Sequence, residues 1–104
     1  MADARLKRPV DREAAIARRA ELYRSLSSGE VSVGQAVARM RKLSRLTQEE
    51  FARHRGISVQ ALRQIERDQG NPTLETLNKV VSIFNLQVGF VPLGTPTRTA
   101  KVPE

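Results

Sequence analysis

Apolar residues recur at three- and four-residue spacings along most of this chain, and the stretches that carry them open on residues able to cap a helix. After Asp11, a plausible N-cap, the positions Ile16, Arg19, Tyr23 and Leu26, with Leu22 beside them, predict one helix ending near Ser27-Ser28-Gly29. Ser32 followed by Gln35 has the spacing of a capping box, and Val33, Ala36, Val37, Met40 and Leu43 carry a second helix to about Ser44-Arg45. Thr47 with Glu50 repeats the capping spacing for a third, which holds Phe51 and Ala52 and breaks at Gly56, a residue suited to a left-handed turn. Ser58 then caps a fourth, with Ala61, Leu62 and Ile65 on its inner face and Gln60, Arg63, Gln64 and Arg67 outside. Beyond the loop Asp68-Gln69-Gly70-Asn71-Pro72, Thr73 opens a fifth helix with Leu74, Leu77, Val81 and Phe84 inward and Asn85 at its end.

The period then changes from helical to alternating. Leu86, Val88 and Phe90 alternate with Gln87, Gly89 and Val91 up to Pro92, the pattern of a short strand with no partner in the same chain. Four segments are therefore expected: a basic N-terminal extension with one helix (1–31), a helical domain (32–86), a strand (87–92) and a disordered Thr- and Pro-rich tail (93–104). The fold class is all-α. Leu46 to Glu66 holds two short helices separated by a glycine turn, with small Ala52 at their crossing and a polar outer face on the second. This is the requirement of a helix-turn-helix.

Composition sharpens the reading. In 104 residues, 18 Lys and Arg face 11 Asp and Glu, a formal charge of +7 that draws the chain to polyanions. Only four aromatic residues (Tyr23, Phe51, Phe84, Phe90) are present, too few for the stacking platforms of single-strand binders, so duplex DNA is the expected polyanion. With no cysteine, a disulfide framework, a thiol nucleophile and a Cys-based zinc site are excluded. His54 is the single histidine and reads as a surface residue; no base is placed to activate Ser27, Ser28 or Ser44, so neither enzyme activity, metal nor cofactor is expected. No apolar run is long enough to span a bilayer, and Met1 to Arg8 is not followed by a signal-peptide core, which leads us to expect a cytoplasmic protein.

A recognition helix in the major groove offers its outward residues to base edges, which places Val59, Gln60, Arg63 and Gln64 as readers. Arg63 suits guanine O6 and N7, the two glutamines suit adenine, and Val59 suits a thymine methyl. Gln48 at a helix start, with Lys42, Arg67 and Asn71 flanking the groove, is placed for phosphates.

Gln48, Ala52, Gly56, Ile57, Leu62, Ile65 and Glu66, in that order, closely resemble the DNA-binding domain of Xre-type, or lambda-repressor-like, regulators over about residues 33–86. The run Asn71-Pro72-Thr73-Leu74 is similar to that family's approach to its next helix, whereas Asp68 and Gln69 stand where a glycine and a basic residue are common. The resemblance implies that Arg41 pairs with Glu66 internally rather than touching DNA. The terminal LQVGFVP resembles the strand of HipB-type antitoxins, which implies dimerisation through Leu86, Val88 and Phe90 and an inverted-repeat operator read by a homodimer. A sequence-specific regulator, most simply an autorepressor and the antitoxin of a toxin–antitoxin operon with a HipA-like kinase or another toxin as partner, is the function so implied. A stand-alone regulator, a module that neutralises a protein partner through the N-terminal helix, and non-specific chromosome coating stay open as alternatives.

Overall fold

The structure, a computed structural model, describes residues 11–92. Five α-helices run in order: α1 Arg12–Ser28, α2 Val33–Leu43, α3 Gln48–Arg55, α4 Val59–Glu66 and α5 Leu74–Val81, the last continued by a 3-10 turn, Ser82–Phe84. Local chemistry sets these boundaries. Each helix begins on a side chain that accepts a backbone N–H three residues on: Asp11, Ser32, Thr47, Ser58 and Thr73. At Ser32 and Thr47 the box closes, with Gln35 and Glu50 returning bonds of 2.8 and 2.9 Å to the cap N–H groups. Gly56 ends α3 at φ 76°, and the turn into α4 is three residues long because Ile57 N–H reaches back to the Ala52 carbonyl at 3.0 Å.

One core joins all five helices. Leu22 of α1, Ala36, Val37 and Met40 of α2, Phe51 and Ala52 of α3, Leu62 and Ile65 of α4, Val80 and Val81 of α5, and Phe84 are buried together. α2 packs on α1, α4 and α5, and α3, which carries the buried Ala52, packs on α4. α1 is held at its far side as well, where the Tyr23 hydroxyl donates to the Phe84 carbonyl (2.9 Å) and the Arg19 guanidinium lies 4.7 Å over the Phe84 ring.

Three expectations are corrected. The strand is absent among the described residues: with no neighbouring strand to pair with, Val88 N–H instead donates to Asn78 Oδ1 of α5 (2.9 Å), Leu86 tucks half-buried against the core, and Phe90 is fully exposed. Ile16 and Leu74, expected inward, are 66% and 65% exposed. Each lies six residues before the most buried position of its helix, Leu22 or Val80, which is about 240° around the helix axis at 100° per residue. Val33 is likewise exposed, at the first position of α2. The expected lead-in and tail lie outside the described residues.

Asp68 links the fold to the site. At φ 58° its carboxylate turns back onto the start of α2, accepting the Ser32 hydroxyl (2.6 Å) and the Gly34 N–H (2.8 Å). These two hydrogen bonds, the Ser32 one first, hold its pKa below the usual aspartate value. A carboxyl lowered on folding adds stability that is complete above its unfolded pKa and disappears as pH falls through the folded value. The acid limb of the stability curve should therefore be shallower in Asp68→Asn than in the wild type; identical limbs in pH-dependent urea titrations would remove Asp68 from this role.

Candidate nucleic-acid interface

α4 presents its polar side away from the core because Leu62 and Ile65 fix the opposite side. Gln60 and Gln64 are exposed on that surface and Arg63 is half-exposed. Val59 is different: it is half-buried and packs on the edge of the core. Gln64 leans over the following loop, its Oε1 occupying the space where a Cβ on Gly70 would lie (2.9 Å).

Beneath Arg63 runs a chain of polar contacts joining three helices. Arg41 of α2 donates from Nε and Nη2 to the two carboxylate oxygens of Glu66 at 2.8 and 3.1 Å, a paired fork whose side chains are 16% and 8% exposed. Its Nη1 donates to the Leu46 carbonyl at 3.2 Å, tying down the turn before α3. Gln48 Nε2 donates to Glu66 Oε1 (3.0 Å), while Gln48 Oε1 accepts Arg63 Nε at 3.4 Å. Arg63 Nη2 also donates to Glu49 Oε2 at 2.9 Å. The Gln48 side chain, expected on a phosphate, is thus engaged at both ends inside the protein. What the start of α3 still offers an anion is its backbone: the N–H groups of Gln48 and Glu49 make no hydrogen bond among the described residues, at the positive end of the helix dipole.

The other flanking residues are exposed. Lys42 borders, with Arg18, Arg39 and Arg45, an open and mainly basic cleft between α1 and the end of α2, into which Asp11 and Glu21 also project. Arg67 and Asn71 lie beyond the C-terminal end of α4. Leu86, Val88 and Phe90 lie on the segment after α5, where Leu86 and Val88 edge a hollow lined by Leu26, Val31, Val37 and Leu77. Among the described residues no group of three or more His, Cys, Asp or Glu side chains is arranged to hold a metal, and no helix is long and apolar enough to cross a membrane.

Sequence periodicity gave Glu49, Ser25 and Gly34 no role and read Asp68 only as a loop residue. Glu49 meets Arg63 across fourteen residues of chain, Asp68 meets Ser32 across thirty-six, and Arg39 reaches the buried Ser25 hydroxyl at 3.1 Å. Such contacts depend on how helices cross, which the hydrophobic pattern of any one helix does not encode.

Residues 37–91 match the helix-turn-helix family. The chain is 38% identical over 61 residues to the immunity repressor protein of Bacillus phage phi105, covering 59% of this chain and 42% of that protein. It is 43% identical over 65 residues to an uncharacterized HTH-type transcriptional regulator, y4dJ, of Sinorhizobium fredii, covering 62% of this chain and 82% of the relative. This chain therefore spans under half the length of the phage repressor. No solved structure matches it. With capped helices α3 and α4 packed together across a glycine turn, and the matched segment extending over more than half the sequence, the chain belongs to the helix-turn-helix family of Xre-type, lambda-repressor-like regulators.

Proposed function

We propose that the protein is a sequence-specific duplex-DNA-binding transcriptional repressor acting on the promoter of its own operon. The observation that carries this reading is the outer surface of α4, where Gln60, Arg63 and Gln64 stand on a rigid, capped helix beside the free N–H groups that begin α3. A surface of that kind combines groups that distinguish base edges with groups that bind phosphate regardless of sequence. Gln48 acts here through its backbone and as a support for Arg63, with Lys42, Arg67 and Asn71 on phosphates.

The repressor works as a homodimer on an inverted repeat. Supporting this is the apolar surface after α5, where Val88, Phe90 and Val91 are exposed together and would be covered by a second copy. The antitoxin reading, with a HipA-like kinase or another toxin as partner, rests on the resemblance of this terminal segment to HipB-type proteins, and its discriminating observation is whether the adjoining reading frame encodes a toxin.

The test is a fluorescence-anisotropy titration against the DNA upstream of the protein's own gene, with excess random duplex as competitor and at two salt concentrations. Binding that resists the competitor is the expected result; binding that the competitor abolishes would count against self-repression. Arg63→Ala should cost ~1–3 kcal/mol on the cognate site and relax its sequence preference, whereas Lys42→Ala should weaken all duplexes alike and flatten the salt dependence. Equal losses on cognate and random DNA for Arg63→Ala would show that α4 does not read bases through this residue.

A further inference from the structure

The geometry points to Glu49 as a positioning residue for base recognition: it clamps the Arg63 guanidinium so that one edge alone, the one suited to guanine, faces the groove. This rests on the reading of α4 as a sequence-specific DNA-reading helix. A guanidinium has five N–H donors in a plane. In this structure its side edge is spent on the protein, with Nε donating to Gln48 Oε1 (3.4 Å) and Nη2 to Glu49 Oε2 (2.9 Å). The end edge, one Nη1 hydrogen beside the second Nη2 hydrogen, has no acceptor among the described residues. Two parallel donors on that edge are what the O6 and N7 acceptors of guanine accept.

The clamp is anchored rather than floating. Gln48 is held by Glu66, Glu66 by the Arg41 fork, and Arg41 by the Leu46 carbonyl, so the inner side of Arg63 is referenced to the buried part of the domain. Glu49 supplies the outer point. Its side chain is 60% exposed and that of Arg63 41%, so in water this ion pair contributes little to folding. Its consequence lies in recognition. An unclamped arginine can swing to any nearby phosphate and so strengthens binding to every sequence, whereas a clamped one gains a partner only where a guanine is presented. The Glu49 carboxylate also offsets the guanidinium charge, which weakens the pull of Arg63 itself on a phosphate.

The experiment uses the full chain and a duplex enriched by the wild-type protein from a library of randomised duplexes, with a scrambled version of that duplex as reference. Glu49→Ala should reduce the preference for selected over scrambled DNA by about three- to tenfold, the scale of ordering one rotamer-rich side chain at an interface. Glu49→Gln, which keeps an oxygen to accept from Arg63, should restore most of the preference. In an Arg63→Ala background the Glu49→Ala change should leave the preference where it is, because the residue it positions is gone. An unchanged preference in Glu49→Ala, or the same change with and without Arg63, would overturn the clamp and leave Glu49 as a general repulsive charge. Failure of the library to yield any enriched sequence would overturn the DNA-reading assignment itself, a result distinct from either.

Discussion

Glu66→Ala should lower the unfolding free energy by about 3–5 kcal/mol, which for a domain this small is a large part of the ~5–15 kcal/mol available. Glu66 accepts three hydrogen bonds, two from Arg41 and one from Gln48. Removing it leaves the Arg41 cation covered on nearly all sides, with only the Leu46 carbonyl as acceptor. An exposed pair would contribute ~0.2–1 kcal/mol; the large figure follows from stranding a charge out of water. Glu66→Gln should fall between, since the amide oxygen still accepts but its NH2 faces a donor. A double replacement, Arg41→Met with Glu66→Leu, should recover most of the loss by removing both charges together. Urea denaturation of the three variants decides the matter. A loss below ~1 kcal/mol for Glu66→Ala would mean that water reaches Arg41 and that the pair behaves as a surface pair. DNA recognition should suffer beyond what unfolding explains, because Gln48 loses its anchor and Arg63 its inner support.

Why some of this was legible in the chain and some was not follows from the range of each interaction. Helix starts are local: Ser32 with Gln35 and Thr47 with Glu50 declare themselves within four residues, and the closed boxes sit at those positions. The left-handed turns at Gly56 and Asn85 are equally local. Facing is less so. The stripe through Ile16 and the one through Leu74 are each compatible with two rotations of the helix, and the neighbour that is present, α2 in both cases, chooses the rotation that buries Leu22 or Val80. The terminal segment fails for a related reason, because alternation describes a strand only if something pairs with it, and here Asn78 captures the Val88 N–H. The site is divided in the same way. Gln60, Arg63 and Gln64 follow from the polar side of one helix, but the Glu49 and Gln48 contacts to Arg63 arise from how α3 crosses α4.

Gly34→Ala should destabilise the domain by about 1–3 kcal/mol, against the usual direction for glycine in a helix, where alanine is favoured by up to about 1 kcal/mol. A Cβ at Gly34 would lie 2.7 Å from the carbonyl oxygens of both Ile65 and Glu66 and 2.9 Å from Asp68 Cγ. The obstacle is backbone, which cannot rotate aside as a side chain can. To make room, the start of α2 must part from the end of α4, and the Gly34 N–H bond to Asp68 must lengthen with it. Gly56→Ala provides the contrast. There nothing lies within 4 Å of the added carbon, and the cost, ~1–2 kcal/mol, arises from the left-handed backbone at φ 76°. The two changes should therefore separate on DNA. Gly34→Ala tilts the C-terminal end of α4 and weakens recognition of the cognate duplex in the folded protein; Gly56→Ala alters the turn but leaves the packing of α4 on α2 in place. Thermal melting with cognate-duplex titration well below the melting range measures both effects. A Gly34→Ala protein as stable as the wild type would show that α2 and α4 are not in backbone contact at this point.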